Sequence, residues 1–211
     1  MNTPLLGILM MLFTVGLVVL ATVVLVQARL KQRPAPWRRM ALGAAGWATV
    51  YLAMLLGSSL TSRERQLGLN EDKQFCGFYI DCHMQVAVTD VDTVRQIDTL
   101  KSGGLYYVVK LRVSSSAVRA HLRLLDPQFV LRDAQGREYH SLPVDRHDSL
   151  TRLIGPEESF TTTVVFDVPA AVQAPRLYVT EGIWADRFLE FFLIGDEDSV
   201  LHERTSFRID G

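Results

Sequence analysis

Leu5 to Val26 (LLGILMMLFTVGLVVLATVVLV) runs 22 residues without a charge, and Met40 to Leu60 (MALGAAGWATVYLAMLLGSSL) runs another 21. A helix rises about 1.5 Å per residue, so about 20 apolar residues cross a hydrocarbon core. Each run therefore predicts a transmembrane helix, over about 5–27 and 39–60, in a hairpin that fills residues 1–60. A soluble helix of that length normally keeps a polar face, and neither run has one. A cleaved signal peptide is the alternative for the first run. It lacks a basic n-region, and it exceeds the roughly 7 to 15 apolar residues of a typical signal sequence, so the expectation is an uncleaved anchor.

The loop between the runs, ARLKQRPAPWRR, carries Arg29, Lys31, Arg33, Arg38 and Arg39 and no acid. Such loops stay cytoplasmic, which places both termini and everything after Leu60 outside the cytoplasm, in a multi-pass protein of the cytoplasmic (inner) membrane. Trp37 sits where an interfacial anchor belongs. Neither run contains an Asp, Glu, Lys, Arg or His. Proton relays and ion pathways need ionisable groups at membrane depth, so the helices read as anchors. The second has small residues every fourth position, Ala41, Ala45, Thr49, Ala53 and Gly57, a candidate packing stripe for the first helix or for a partner subunit. Against the helical period that stripe drifts by about 40° per step, so one straight partner cannot follow all of it.

Residues 1–65 hold seven basic and one acidic side chain, whereas residues 66–211 hold fifteen and twenty-two. The acidic C-terminal part excludes nucleic acid as a partner, because that attraction depends on clustered Lys and Arg. A polar stretch, residues 61–74, reads as a juxtamembrane linker. Beyond it the hydrophobic period changes to two. Leu105, Tyr107, Val109, Leu111 and Val113 alternate in one segment, and Phe160, Thr162, Val164, Phe166 and Val168 in another, the pattern of half-buried strands. Further strands are expected at 84–91, 128–133, 137–142, 176–182, 188–194 and 206–209, with turns at 102–104, 133–136, 155–158 and 169–175. Short strands at that spacing predict an all-β, immunoglobulin-like antiparallel sandwich over 75–211.

Two stretches, LLDPQFVLRDAQGREYHSL (124–142) and IGPEESFTTTVVFDVP (154–169), resemble a bacterial family of extracytoplasmic immunoglobulin-like domains of unknown function, a β-sandwich of the telomeric-repeat-factor-like and immunoprotective-antigen-like kind. Asp133, Gly136 and Tyr139 match the hairpin of that pattern, and Phe166 and Pro169 match the end of a later strand. The similarity spans roughly residues 84–182. It implies the sandwich fold and a location outside the membrane on a lipid or protein anchor. The pattern supplies no catalytic residue.

Both cysteines lie in FCGFYIDCH (75–83). Five residues separate Cys76 from Cys82, which suits neither a C-x-x-C-H haem attachment nor a thioredoxin-type pair. An oxidising compartment favours a disulfide. The chain must then reverse near Gly77, because an extended strand would hold the sulfurs about 20 Å apart. The rival reading is a soft-metal site on Cys82, His83 and Met84, although three consecutive residues do not readily converge on one ion. His121, His140, His147 and His202 are scattered, the acidic run GDEDS (195–199) lacks the ligand spacing of a calcium loop, and no serine stands in a nucleophile setting. The sequence thus predicts a non-enzymatic, membrane-anchored extracytoplasmic protein-interaction module with no cofactor. Its expected partners are the lipid bilayer, through two helices, and other membrane or envelope proteins. It would serve as an accessory subunit of a membrane complex or an envelope adaptor. The alternative is an extracytoplasmic metal- or ligand-binding protein that uses Cys82, His83 and Met84.

Overall fold

In the computed structural model, residues 3–32, 37–77, 81–97, 100–142 and 150–209 are described; His147 and the loop residues 33–36 lie outside them. The chain forms two compact units, one of Met1–Arg63 with Arg187–Glu203, the other of Glu64–Asp186 with Arg204–Gly211.

The first unit is helical. The two apolar runs become α1 (Thr3–Leu30) and α2 (Trp37–Leu60). Both are long and apolar enough to cross a membrane. Their seam is aromatic and polar. The Trp47 indole N–H donates to the Thr14 hydroxyl at 3.1 Å, and the Phe13 and Trp47 rings lie 4.6 Å apart. The hydroxyls of Thr14, Thr22 and Thr49 donate to carbonyls four residues earlier, so each is satisfied within its own helix. Outside the seam the large side chains are bare: Leu12 is 58% exposed and Val18 61%.

The same unit contains a segment from far along the chain. Residues 188–194, expected as a strand, instead enter the short helix α3 (Trp184–Glu190) and a series of turns. Phe191, Phe192, Leu193 and Ile194 are consecutive apolar residues with no alternating polar partner. Arg187 and Glu190 are three apart, the spacing of one helical face. Period-2 order is therefore missing where a strand would need it.

The second unit is a sandwich of two sheets, ordered β1-β9-β8-β5-β6 and β2-β3-β4-β7. Its strands are β1 (Gln66–Leu67), β2 (Lys73–Gly77), β3 (Asp81–Ile97), β4 (Leu100–Ser115), β5 (Gln128–Arg132), β6 (Glu138–His140), β7 (Ser159–Val168), β8 (Arg176–Thr180) and β9 (Ser206–Arg208). All pairings are antiparallel except β1 with β9, which is parallel. β1 comes from the stretch expected to be a linker. Leu67 is 2% exposed within the core, which gives so short a strand its hold.

The alternation read from the sequence orients β4 and β7: Val109, Leu111, Val113, Val164, Phe166 and Val168 all join the core. β3 is longer than expected and contains a bulge between Val88 and Asp90. Met84, Val86 and Val88 point inward before it, and Val91, opposite Val109, packs against the core after it, because the extra residue reverses the parity. The stretch Ser102–Gly104, expected as a turn, lies inside β4. A Cβ at Gly104 would stand 2.1 Å from the Val168 carbonyl oxygen, so this glycine serves a close approach of neighbouring backbone.

Candidate interaction surfaces

Within FCGFYIDCH, Phe75–Gly77 and Asp81–His83 belong to the paired strands β2 and β3, and residues 78–80 lie outside the described ones. Register runs Phe75 to Met84 and then, after an irregularity, Gly77 to Asp81, so the chain does reverse after Gly77. Cys76 and Cys82 thereby face each other and form a disulfide, with Cα atoms 3.9 Å apart. The same hairpin separates the three candidate metal ligands. The Cys82 sulfur is bonded to Cys76, Met84 is buried in the core, and His83 is exposed with Nδ1 3.3 Å from the Ser116 hydroxyl. Strand alternation sends neighbours to opposite faces, so these side chains share no point. Among the described residues no group of three His, Cys, Asp or Glu side chains is placed to hold a metal.

His121 and His140 are exposed and lie apart in sequence and element, and His202 Nδ1 lies 3.0 Å from the Glu203 carbonyl. GDEDS forms a turn closed on itself, with the Asp198 N–H donating to the Asp196 carboxylate at 2.7 Å and the Ser199 hydroxyl to the Asp196 carbonyl at 2.8 Å. In the small-residue stripe Ala41, Ala45, Thr49, Ala53 and Gly57 are all exposed, while the seam with α1 runs through Trp47.

Three carboxylates organise the sandwich. Asp133 closes the β5–β6 hairpin: its side chain is fully buried and accepts from the Gln135 and Arg137 N–H groups at 2.9 Å, Arg137 Nε at 2.7 Å and the Tyr139 hydroxyl at 3.2 Å. Burial alone would raise its pKa, and these donors more than offset that and hold it below the usual aspartate value. Gly136 supplies the positive φ of 78° that the turn requires. The hairpin motif seen in the sequence is therefore structural in its chemistry.

Glu64 accepts from the Tyr178 hydroxyl at 2.9 Å, the Ser206 hydroxyl at 2.5 Å and the Arg176 guanidinium, and so joins the segment before β1 to β8 and β9. Burial pushes its pKa up, and the donors from Ser206, Tyr178 and Arg176 outweigh that and lower it. Glu181, at the end of β8, is the opposite case. Its pKa is pushed up to about 7, chiefly by burial and further by Asp186, although the Leu125 N–H and Lys73 oppose the shift. Lys73 itself is buried and donates to the Val179 carbonyl at 2.8 Å. Nothing in the sequence marks Glu64 or Glu181, because the hydrogen-bond donors of Glu64 from β8 and β9, and Leu125 and Lys73 beside Glu181, come from more than 50 residues away.

Exposed apolar side chains occur in both units. In the sandwich, residues 115–122 run beside 154–158 through Glu157 N–H to Ala117 carbonyl and reciprocal Leu122–Ile154 bonds. Val118 in the first of these segments is 76% exposed, and Leu153, directly before the second, 57%. In the helical unit, Phe188, Phe191 and Phe192 stack edge to face at 5.1 to 5.4 Å and are 44 to 55% exposed. The same unit has an open cavity of about 530 Å³ lined by Leu6, Met54, Ile194 and the polar Ser58, Thr61 and His202.

The described chain is a β-sandwich module joined to a pair of long apolar helices. Residues 80–188 match the family described as Domain of unknown function (DUF4352), and the chain belongs to that family. Among solved structures it is similar to the secreted protein MPT63 of Mycobacterium tuberculosis, with 13% identity over 71% of this chain and 100% of that one and a TM-score of 0.48. It is also similar to the yjhA protein of Bacillus subtilis, at 12% identity, 68% and 98% coverage and a TM-score of 0.44. An uncharacterized β-sandwich protein of Clostridium difficile 630 aligns at 10% identity, 71% and 96% coverage and a TM-score of 0.41. No curated protein matches the chain.

Proposed function

We propose that this protein is a membrane-anchored, non-enzymatic interaction module whose sandwich works on the extracytoplasmic side of the cytoplasmic membrane. The observation that carries the reading is the bare apolar surface of α1 and α2, where Leu12, Val18 and Leu20 are each more than half exposed. Water would penalise that surface by about 25 cal/mol per Å², and acyl chains remove the penalty. The Arg-rich loop between the helices orients the hairpin, and the Cys76–Cys82 disulfide fits an oxidising compartment.

The contact surface is the loop pair of 115–122 and 154–158 with its exposed Val118 and the adjoining Leu153, each next in sequence to an arginine, Arg119 and Arg152. Its partner is another membrane or envelope protein, for which this chain serves as accessory subunit or adaptor. A photo-crosslinking residue at Val118, activated in intact membranes, should trap one protein species reproducibly. The same residue at Gln135, an exposed turn site, should trap none. Equal trapping from both positions, or none from Val118, overturns the reading. Sidedness is tested separately: alkaline phosphatase fused after Gly211 should be active, and fused after Pro36 inactive.

A further inference from the structure

We infer that residues 187–203 form a wedge that enters the outer leaflet of the bilayer beside the two helices and packs its phenylalanines among acyl chains. The inference rests on reading α1 and α2 as a membrane hairpin. Contacts within the helical unit set the depth of each part of the segment. The Tyr51 hydroxyl donates to the Phe192 carbonyl at 2.7 Å. Tyr51 lies nine residues before Leu60, the last residue of α2, which is about 13 Å along the helix axis. Ile194 then rests on Gly7 of α1, where an added Cβ would stand 2.5 Å from the Ile194 carbonyl oxygen. The chain climbs from there: the hydroxyls of Ser199 and Ser59 are 3.4 Å apart, and the Glu203 N–H donates to the Ser62 hydroxyl at 2.8 Å, past the end of α2. The lowest point is thus at Phe192, and the acids Asp196 to Asp198 lie on the way back to the surface.

The chemistry of the segment suits that depth. Backbone that meets hydrocarbon must satisfy its own polar groups. Here the N–H groups of Phe191, Phe192 and Leu193 donate to the carbonyls of Arg187, Leu189 and Glu190, and the Val200 N–H donates to the Phe191 carbonyl. Arg187 and Glu190 are half-buried, while Phe188, Leu189, Phe191 and Phe192 are exposed, as are Leu201 and Glu203 near the end of the segment. Because the segment is held to Tyr51 of α2 and to Gly7 of α1, acyl chains around the helices would reach these side chains as well.

The test uses the full-length protein, whose two native cysteines are tied in a disulfide, so that one added cysteine takes a nitroxide label. Phe192→Cys, Val18→Cys and Val118→Cys are each reconstituted in vesicles of phosphatidylcholine and phosphatidylglycerol. Collision with oxygen and with a water-soluble nickel chelate is then measured. At Phe192 the expected result is high oxygen and low chelate accessibility, as at Val18, with the chelate collision rate at least about tenfold below that at Val118. Chelate access equal to Val118 would place the segment in water, and low access to both reagents would mean that protein covers it; either overturns the wedge. Chelate access at Val18 would instead overturn the membrane hairpin, so the two failures are distinct. In a Gly7→Leu background the Phe192 label should move toward chelate access while Val18 does not change, and an unmoved Phe192 label would show that docking on α1 does not set the depth.

Discussion

Val109 and Leu111 in β4 are completely hidden, whereas Val18 and Leu20 in α1 are about 60% exposed. The residues are of the same kind and lie in one chain, yet one unit turns them inward and the other outward. The sandwich supplies its own apolar interior, as two sheets bury alternate residues against each other. The helical unit has no comparable interior: much of the apolar surface of α1 and α2 stays exposed, the surface that the proposed membrane would cover. Polar groups follow the same division. In the sandwich, Asp133 and Glu64 are held by donors from several strands and turns, while the hydroxyls of Thr14, Thr22 and Thr49 in α1 and α2 turn to carbonyls of their own helix.

The strongest way to break this contrast is to place one acid in each setting. Val109→Asp should unfold the sandwich, since an unpaired buried carboxylate costs more than about 4 kcal/mol, and the β signal in circular dichroism should disappear. Val18→Asp should leave that signal intact and instead lower membrane insertion, by about 3 kcal/mol at the helix centre. A folded Val109→Asp protein would mean that the sandwich interior is not closed.

The boundary of the sandwich unit comes next. Fragments from Glu64 and from Lys73 to Gly211, both carrying F191S and F192S for solubility, should each give β-type circular dichroism. The shorter one should be less stable by at least about 2 kcal/mol, because it loses the buried Leu67 together with the Glu64 bonds to Arg176, Tyr178 and Ser206. Equal denaturation midpoints would remove β1 from the unit.

Opening the Cys76–Cys82 bridge with C76S and C82S should lower stability by roughly 2 kcal/mol, the chain-entropy value for a short loop, and leave the fold in place. Alkylation before reduction should modify neither thiol of the wild-type protein from membranes. Two reactive thiols there would contradict the oxidised hairpin.

The smallest effect concerns pH. The folded Glu181 carboxyl keeps its proton up to about pH 7, whereas its ordinary value is 4.5. Between those values the folded state binds more protons than the unfolded one, so stability falls as pH rises through that window. Glu181→Gln should flatten the fall, with a gain on the order of 1 kcal/mol at pH 8. Glu64 and Asp133, with lowered values, act in reverse: their contribution is full above the unfolded carboxylate pKa and fades as pH drops through the folded one. Denaturation midpoints of wild type and Glu181→Gln at pH 5, 6.5 and 8 separate the two behaviours, and parallel curves would mean that Glu181 titrates normally.

Sequence alone determined what depends on neighbours along the chain. Length and unbroken apolar composition specify α1 and α2, alternation at period two specifies the inward faces of β4 and β7, and Asp133 to Tyr139 spell a hairpin whose donors and acceptor are at most six residues apart. The close spacing of Cys76 and Cys82 belongs to the same category. Tertiary structure decided whatever needed a distant partner. Gly104 reads as a turn until the Val168 backbone lies against it, and the bulge after Val88 emerges only when β3 must match β4. Residues 61–74 read as a linker until β9 offers Leu67 a neighbour. Glu64 gains its character from donors more than 100 residues away, and Glu181 chiefly from its burial in the folded sandwich. The segment 188–194 misled the sequence reading most. A short apolar run is compatible with strand or helix, and only the backbone of α1 at Gly7 and the Tyr51 hydroxyl, both more than 130 residues earlier in the chain, determine where it packs.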